Sequence, residues 1–472
     1  MKKIFHEVDT LDKKCIQKYY LSEDILMENA SGALRDYIYK KFKLKQKILI
    51  VCGSGNNGAD GITLARQLHN DYKVNLYLAS TPTSKMAILQ LQRAKSIGVK
   101  ITTNTKNKYD IIVDCIFGSG LNREISDNTN TLIKKLNKKN AFKIACDIPS
   151  GLYLSQNQKA IFKANTTITM GALKTSLFSD TAKDFVGKII IANLGISNKT
   201  YESKTNIFYL EKKDLKLPLR KKQNTHKGTF GHSCVIAGNS QNAKIGACLI
   251  ALKSAMATGS GLCTIVGNTP HNQYEIMSSA DIPNNCNALA IGMGLGDTNK
   301  QKINKIKKFI FENKIPCVVD ADMFYTDDIL DFLQYKKTIL TPHPKEFISL
   351  LAISNIAKIS TNSLANNRLF YVKEFIKKYP KVTLLLKGAN TIIANKNKIY
   401  IQNLGSSSLS KGGMGDVLAG IILSLLSQGY SSKQSAINGS LIHSLCAKKY
   451  KGNNYSLTPK SLIKQIKKLD KK

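Results

Sequence analysis

Asp416 closes the run Lys411-Gly412-Gly413-Met414-Gly415-Asp416, just before an apolar segment, 417–426, whose spacing suits a buried helix. Such a junction turns unpaired backbone N–H groups and the positive end of a helix dipole toward one point, a setting for an anion such as phosphate. Glycine lets the backbone approach that anion with no Cβ in the way. A carboxylate beside a phosphate nest repels what the nest attracts, so Asp416 has a chemical reason to be there. It can take a proton from a hydroxyl that attacks, or sits near, a phosphoryl group. A glycine turn with Asp416 as N-cap is the plain alternative.

A second constellation lies near the start of the chain. Gly53-Ser54-Gly55-Asn56-Asn57-Gly58-Ala59-Asp60-Gly61 follows the apolar run 47–52 and opens a helix at Ile62. Strand, glycine loop and helix make a dinucleotide-site architecture. Its two asparagines and aspartate add oxygens that could read a ligand's polar edge or hold a hard cation. Two later strand-like runs end in Asp114 with Gly118-Ser119-Gly120-Leu121, and in Asp147 with Ser150. In an open α/β sheet, loops at the carboxyl ends of the strands share one crevice, where ligands bind. Strand-end capping or turn formation is the alternative for each aspartate.

The elements that must position these residues alternate between helix and strand. Residues 9–42 read as helical, 74–78 as a strand, 87–97 as a helix, and 166–170 and 188–192 as strands. The charged, proline-broken run from Lys212 to Lys222 marks the domain boundary, giving domains 1–212 and 213–472. The second half restarts with a strand at 234–237 and a helix at 243–258. The small face of that helix, with Gly246, Ala247, Ala251, Ala255 and Ala257, permits close approach of another backbone or a flat ligand; tight helix packing is the alternative. A strand at 287–291 then runs into Gly292-Met293-Gly294-Leu295-Gly296, followed by Val318-Val319-Asp320-Ala321-Asp322 and Thr341-Pro342-His343-Pro344-Lys345-Glu346. His343 is held stiffly between prolines, with either ring nitrogen available to a ligand. A further strand ends in Lys387-Gly388-Ala389-Asn390-Thr391, which suits phosphate or adenosine. A helix at 433–449 closes the chain.

Composition bounds the reading. With 472 residues, 43% of them hydrophobic and 22% charged, the chain has length and apolar content for two or three folded domains. The net charge of +38 raises nucleic acid as a partner. There is no arginine-rich arm and no zinc-knuckle spacing, and the lysines run along the whole length. They read as solvated faces that also favour anionic substrates, with no nucleic-acid partner expected. The ten cysteines stand singly, mostly inside apolar runs, as small hydrophobes of a reducing cytoplasm. No run reaches the roughly 18 apolar residues of a membrane helix, and the N-terminus lacks a signal-peptide core. A cytoplasmic protein with no membrane partner is expected.

Taken together, the motifs match two known families. GSGNNGADG (53–61), DCIFGSGLNRE (114–124) and DIPSGL (147–152) resemble the NAD(P)H-hydrate epimerase family. HKGTFGHSCVIAGN (226–239), GMGLG (292–296), VVDAD (318–322), TPHPKE (341–346), LLLKGAN (384–390) and KGGMGDVLAG (411–420) resemble the ADP/ATP-dependent NAD(P)H-hydrate dehydratase of the ribokinase-like group. Their order in one chain resembles the bifunctional NAD(P)H-hydrate repair family. A kinase acting on a vitamin precursor such as hydroxymethylpyrimidine would share the GGMGD run but leave the first half unexplained.

The resemblance implies an α/β chain, with a Rossmann-like three-layer N-terminal domain followed by a ribokinase-like C-terminal domain. It also implies epimerisation of R- and S-NAD(P)HX by the first and nucleotide-dependent dehydration of the S form by the second. Carried onto this sequence, Asn56, Asn57, Gly58, Ala59 and Asp60 would bind the hydrate, and Gly118, Ser119, Gly120, Leu121, Asn122, Arg123 and Glu124 would wrap its phosphates or ribose. Asp147 would face the hydrated ring as general base, and Asn57, Asp114 and Ser150 would hold potassium. In the second domain Ala247, Gly294, His343 and Asp416 would contact the hydrate, with Asp416 catalytic. Lys387, Gly388, Ala389, Asn390, Thr391 and Gly415 would hold ADP or ATP, with magnesium accompanying the nucleotide. NADHX or NADPHX and the adenine nucleotide are the partners implied, and a homo-oligomer is expected. The chain departs from the family pattern at Met323-Phe324-Tyr325, where Ala-Leu-Asn is usual, and at Lys345, where glycine is usual.

Overall fold

The computed structural model describes the chain except residues 122–123, 153–158, 239–243, 268–270, 297–298 and 470–472. It forms two compact units, Lys2–Thr205 and Asn206–Lys472, the second including Met1.

The first unit is built on a six-stranded sheet in the order Lys73–Leu78, Lys47–Cys52, Ile111–Cys115, Phe142–Cys146, Thr166–Met170, Lys188–Ala192, parallel throughout. Strands covered on both faces read as continuous apolar runs, which explains why 47–52 shows no alternation. The helical stretch near the start is two helices, Asp9–Tyr19 and Glu23–Lys41. Tyr20 breaks it by adopting a left-handed φ of 56°, and Ser22 then caps the second helix by accepting from the Ile25 N–H. One core, including Leu34, Ile48, Ile62 and Leu64, lies on one face of the sheet; another, with Leu49, Ile112, Ile133 and Phe162, lies on the other.

In the second unit the strand order is Met277–Ser279, Leu262–Val266, His232–Ile236, Ala288–Ile291, Cys317–Val319, Thr338–Leu340, Thr383–Leu386, Thr391–Asn395, Lys398–Gln402, Ile207–Tyr209. Pairing is parallel up to Thr383–Leu386, turns antiparallel through the next two strands, and is parallel again for Ile207–Tyr209. The apolar segment after the glycine run is the helix Met414–Ser427, buried along nearly its whole length. It packs against Ile245–Thr258, where Ala251 and Ala255 of the small-residue face are buried while Gly246 and Ala257 are exposed. A Cβ on Gly420 would lie 1.9 Å from the Ala251 carbonyl oxygen, and Ser254 Oγ donates to the Val417 carbonyl at 2.9 Å. All ten cysteines are buried and free.

Candidate functional sites

In the first unit the glycine loop is pressed onto the strand ends. A Cβ on Gly58 would sit 2.0 Å from the Gly53 carbonyl oxygen, and one on Gly61 2.6 Å from Cys52 Sγ. That fit seats the first turn of the helix Asn56–Leu68 over the carboxyl ends of the strands, beside the loops after Ile111–Cys115 and Phe142–Cys146. Asp12, Asn57, Asp60, Gly118, Ser119 and Asp147 line one cavity of about 500 Å3 there. The three strand-end loops singled out in the sequence thus converge. Asn56 lines the same cavity, with its side-chain amide donating to Glu23 Oε1 at 2.6 Å. Glu124 is exposed, and Asn122 and Arg123 lie outside the described residues.

Asp147 is the most constrained side chain in the cavity. Its backbone adopts φ 66°, a left-handed conformation costly for a residue with a Cβ. Lys174 Nζ lies 2.5 Å from Asp147 Oδ1, which also accepts from the Met170 N–H at 3.2 Å; Oδ2 accepts from the Ser119 N–H at 3.0 Å. Burial works to raise the Asp147 carboxyl, but Lys174 and these donors prevail and hold it below the usual carboxylate range. Asp60 goes the other way: burial, then the nearby Asp147 and Asp12, push it well above that range. Asp12 accepts from Tyr201 Oη at 2.7 Å and is also raised by burial. Lys174 and Asp12 were not foreseen. A lone lysine within a run as apolar as 170–178 was the available signal for the first; a helix-start aspartate gave none for the second.

Asp114 and Ser150 are joined beneath the Phe117–Gly118 loop, which Asn57 adjoins from the other side. Asp114 Oδ1 accepts from Ser150 Oγ at 2.7 Å and Oδ2 from the Ser150 N–H at 2.8 Å; Ser150 Oγ accepts from the Phe117 N–H at 2.9 Å. Both polar side-chain atoms of Asn57 are buried without a hydrogen-bond partner. A Cβ on Gly118 would lie 3.2 Å from Asn57 Oδ1 and 3.1 Å from Asp147 Oδ2, so that glycine leaves a gap between them. A carboxylate, a hydroxyl and an orphaned amide oxygen form an all-oxygen donor set that fits a hard cation.

In the second unit the decisive group is Lys387. It lies 3.0 Å from Asp320 Oδ1 and 3.7 Å from Glu346 Oε2, and a Cβ on Gly415 would lie 3.4 Å from its Nζ. The strand ends carrying Asp320 and Lys387 therefore meet the start of the helix Met414–Ser427. Gly413 is the N-cap, in the left-handed region at φ 81°, and Asp416 sits in the first turn without capping it. The capping alternative fails. Burial, then the neighbouring Asp320, push Asp416 up to about 6, with Lys387 opposing. Behind the nest, buried His443 donates from Nε2 to the Met414 carbonyl at 3.0 Å and is driven down to about 4 by burial.

His343 is the N-cap of the helix Pro344–Ile353, in a reciprocal box with Glu346. Nδ1 accepts from the Glu346 N–H at 3.2 Å and Nε2 lies 3.1 Å from Glu346 Oε1, so both ring nitrogens are engaged rather than available. Glu346, raised to about 7 chiefly by burial, links His343 to Lys387. It was missed, although His-x-x-Glu before an apolar run is a capping-box pattern. The loop Lys387–Asn390 rests on Arg368, which donates to the carbonyls of Lys387 at 2.9 Å and Asn390 at 3.0 Å; a Cβ on Gly388 would strike its guanidinium. Gly294 accepts from the Lys244 N–H at 3.0 Å, which brings it to the start of the helix carrying Ala247. Of the departures, Met323 and Phe324 are buried and Tyr325 is exposed.

Comparison with known proteins adds to this geometry. Residues 233–468 match the NAD(P)H-hydrate dehydratase family and residues 23–176 the family described as YjeF-related protein N-terminus. The bifunctional NAD(P)H-hydrate repair enzyme Nnr of Helicobacter pylori is 44% identical, covering 99% of this chain and 100% of the relative. The chain belongs to the bifunctional NAD(P)H-hydrate repair enzyme family. The member from Coxiella burnetii is 32% identical, over 90% of each chain. The second unit is also similar to the ADP/ATP-dependent NAD(P)H-hydrate dehydratase of Bacillus subtilis co-crystallised with ATP and Mg2+. That likeness has a TM-score of 0.46 and 26% identity, and covers 56% of this chain and 98% of that one. Both clusters of this family member are α/β crevice sites at strand carboxyl ends. Among the described residues no helix is long and apolar enough to cross a membrane.

Proposed function

We propose that this family member repairs hydrated nicotinamide cofactors, with residues 1–212 epimerising R- and S-NAD(P)HX and residues 213–472 dehydrating the S form with ADP or ATP. The observation that carries the reading is Asp416. A carboxylate with an elevated pKa stands in a glycine-rich helix start beside a half-buried lysine, which suits a base working next to a phosphoryl group. Asp416 takes the proton of the C6 hydroxyl as its oxygen bonds to the terminal phosphorus and the bond to the departing nucleotide breaks. The phosphate then leaves C6 with the C–O electron pair, aided by the ring nitrogen, and loss of a C5 proton restores the 5,6 double bond. Gly415 N–H and Lys387 stabilise charge on the phosphoryl oxygens, and the loop Lys387–Thr391 holds the nucleotide. Magnesium would enter with the nucleotide and neutralise its phosphates.

In the first unit, Asp147 and Asp60 supply a base and an acid to one cavity. Removal of the C6 hydroxyl proton by Asp147, with protonation of the ring nitrogen, lets the C6–N bond open to an aldehyde. Reclosure on the other face inverts C6. Asn57, Asp114 and Ser150 would hold potassium, which supplies positive charge for the substrate's phosphates. The reading is tested by counting products: one orthophosphate released per NADH formed, with ADP or ATP required. NADH formation without phosphate release contradicts it.

A further inference from the structure

The lysines are not spread evenly everywhere. At the amino ends of the first unit's parallel strands, the pole opposite the Asp147 cavity, a second cavity of about 850 Å3 opens. The strand Lys47–Cys52 runs from one to the other, and its six residues put them about 20 Å apart. Asp110 is the one acidic residue of the lining, and every other charged residue there is a lysine. Lys43, Lys45 and Lys47 come from the segment entering that strand, Lys73 from the start of the neighbouring strand, Lys106 and Lys108 from the loop before Ile111–Cys115, and Lys139 from the end of the helix Asp127–Lys138.

Asp110 offsets only one of these charges; its Oδ2 is fixed by the Lys47 backbone N–H at 2.8 Å and forms no ion pair among the described residues. Lys45 and Lys139 are steadied by the carbonyls of Asn70, at 2.6 Å, and Asn107, at 3.0 Å. Lys43, Lys47, Lys73, Lys106 and Lys108 form no ion pair among the described residues. By contrast, Lys307 is shared between Asp328 at 2.5 Å and Asp331 at 2.9 Å. Converging like charges around a concavity repel one another and attract an anion. The lining offers no exposed ring: Tyr109 is buried, and its hydroxyl accepts from Asn75 Nδ2 at 3.0 Å. Without a stacking platform, the grip is on phosphates and not on bases.

We propose that this cavity is a second ligand site that binds a short run of linked phosphates, either as free polyphosphate or as the tail of a nucleotide.

The test is isothermal titration calorimetry of the full chain with inorganic tripolyphosphate, ATP and a 20-nucleotide single-stranded DNA, beside the triple variant Lys43→Ala, Lys73→Ala, Lys106→Ala. The wild type is expected to bind tripolyphosphate with an affinity that falls as salt rises, and the variant at least tenfold more weakly, with dehydratase turnover unchanged. ATP is expected to show two equivalents in the wild type and one in the variant. Comparable affinity for tripolyphosphate and for the second ATP assigns recognition to phosphate alone. Unchanged tripolyphosphate binding in the variant overturns the site; ATP binding there without tripolyphosphate, or tighter binding of the DNA lost in the variant, overturns the ligand class.

Discussion

Lys174 is fully buried and its ammonium sits 2.5 Å from Oδ1 of Asp147, a carboxylate held in a left-handed backbone. Breaking a buried pair leaves the surviving charge unpaired, at a cost of about 3–5 kcal/mol, whereas replacing both partners by apolar groups costs much less. Lys174→Met should lower the stability of the first unit in urea by that order. Lys174→Met with Asp147→Leu should recover most of it, and both should lack epimerase activity. An active Lys174→Met would show that Asp147 works without the Lys174 ammonium beside it.

Gly420 faces the Ala251 carbonyl so closely that a Cβ cannot fit without moving a helix. Gly420→Ala should therefore destabilise the second unit by about 1–3 kcal/mol, as overpacking does. Thermal unfolding monitored on that unit should shift down by several degrees. An unchanged transition contradicts the helix contact.

How legible was this in the sequence? The buried parallel strands announced themselves as short apolar runs, and glycine loops marked their carboxyl ends, so the fold class and both crevices could be anticipated. Thr391–Asn395 and Lys398–Gln402 were not, because an antiparallel pair after a parallel sheet carries no marker beyond alternation. Of the candidate aspartates, Asp60 and Asp416 were readable because each stands beside a glycine, and Asp114 and Asp147 because each ends a strand-like run. Their partners were not. Lys174, Glu346 and Arg368 act through contacts made at the ends of other elements, and only burial reveals that a lysine or arginine has lost its water.

His443 is neutral in the folded protein because burial holds it near 4, while an unfolded histidine titrates near 6.5. Between those values the unfolded state binds more protons, so stability rises with pH across this window and is lost as pH falls through it. The loss amounts to about 3 kcal/mol at most. His443→Gln should flatten the pH dependence of the second unit's unfolding between pH 6.5 and 4; an unaltered slope would show that His443 does not carry it.

Asp416 must be ionised to accept a proton, and its carboxyl titrates at about 6. The dehydratase kcat/KM should fall about tenfold per pH unit below that value and level off above it, as for a single essential base. A profile flat down to pH 4.5 would exclude Asp416 as the base.

The most direct measurement is recovery of 340 nm absorbance from mixed R and S hydrate of NADH with ADP or ATP, for wild type, Asp416→Ala and Asp147→Ala. Wild type should restore the whole signal, Asp416→Ala essentially none, and Asp147→Ala rapidly only the S share. Full recovery by Asp416→Ala, or no nucleotide-dependent recovery by wild type, would contradict the account.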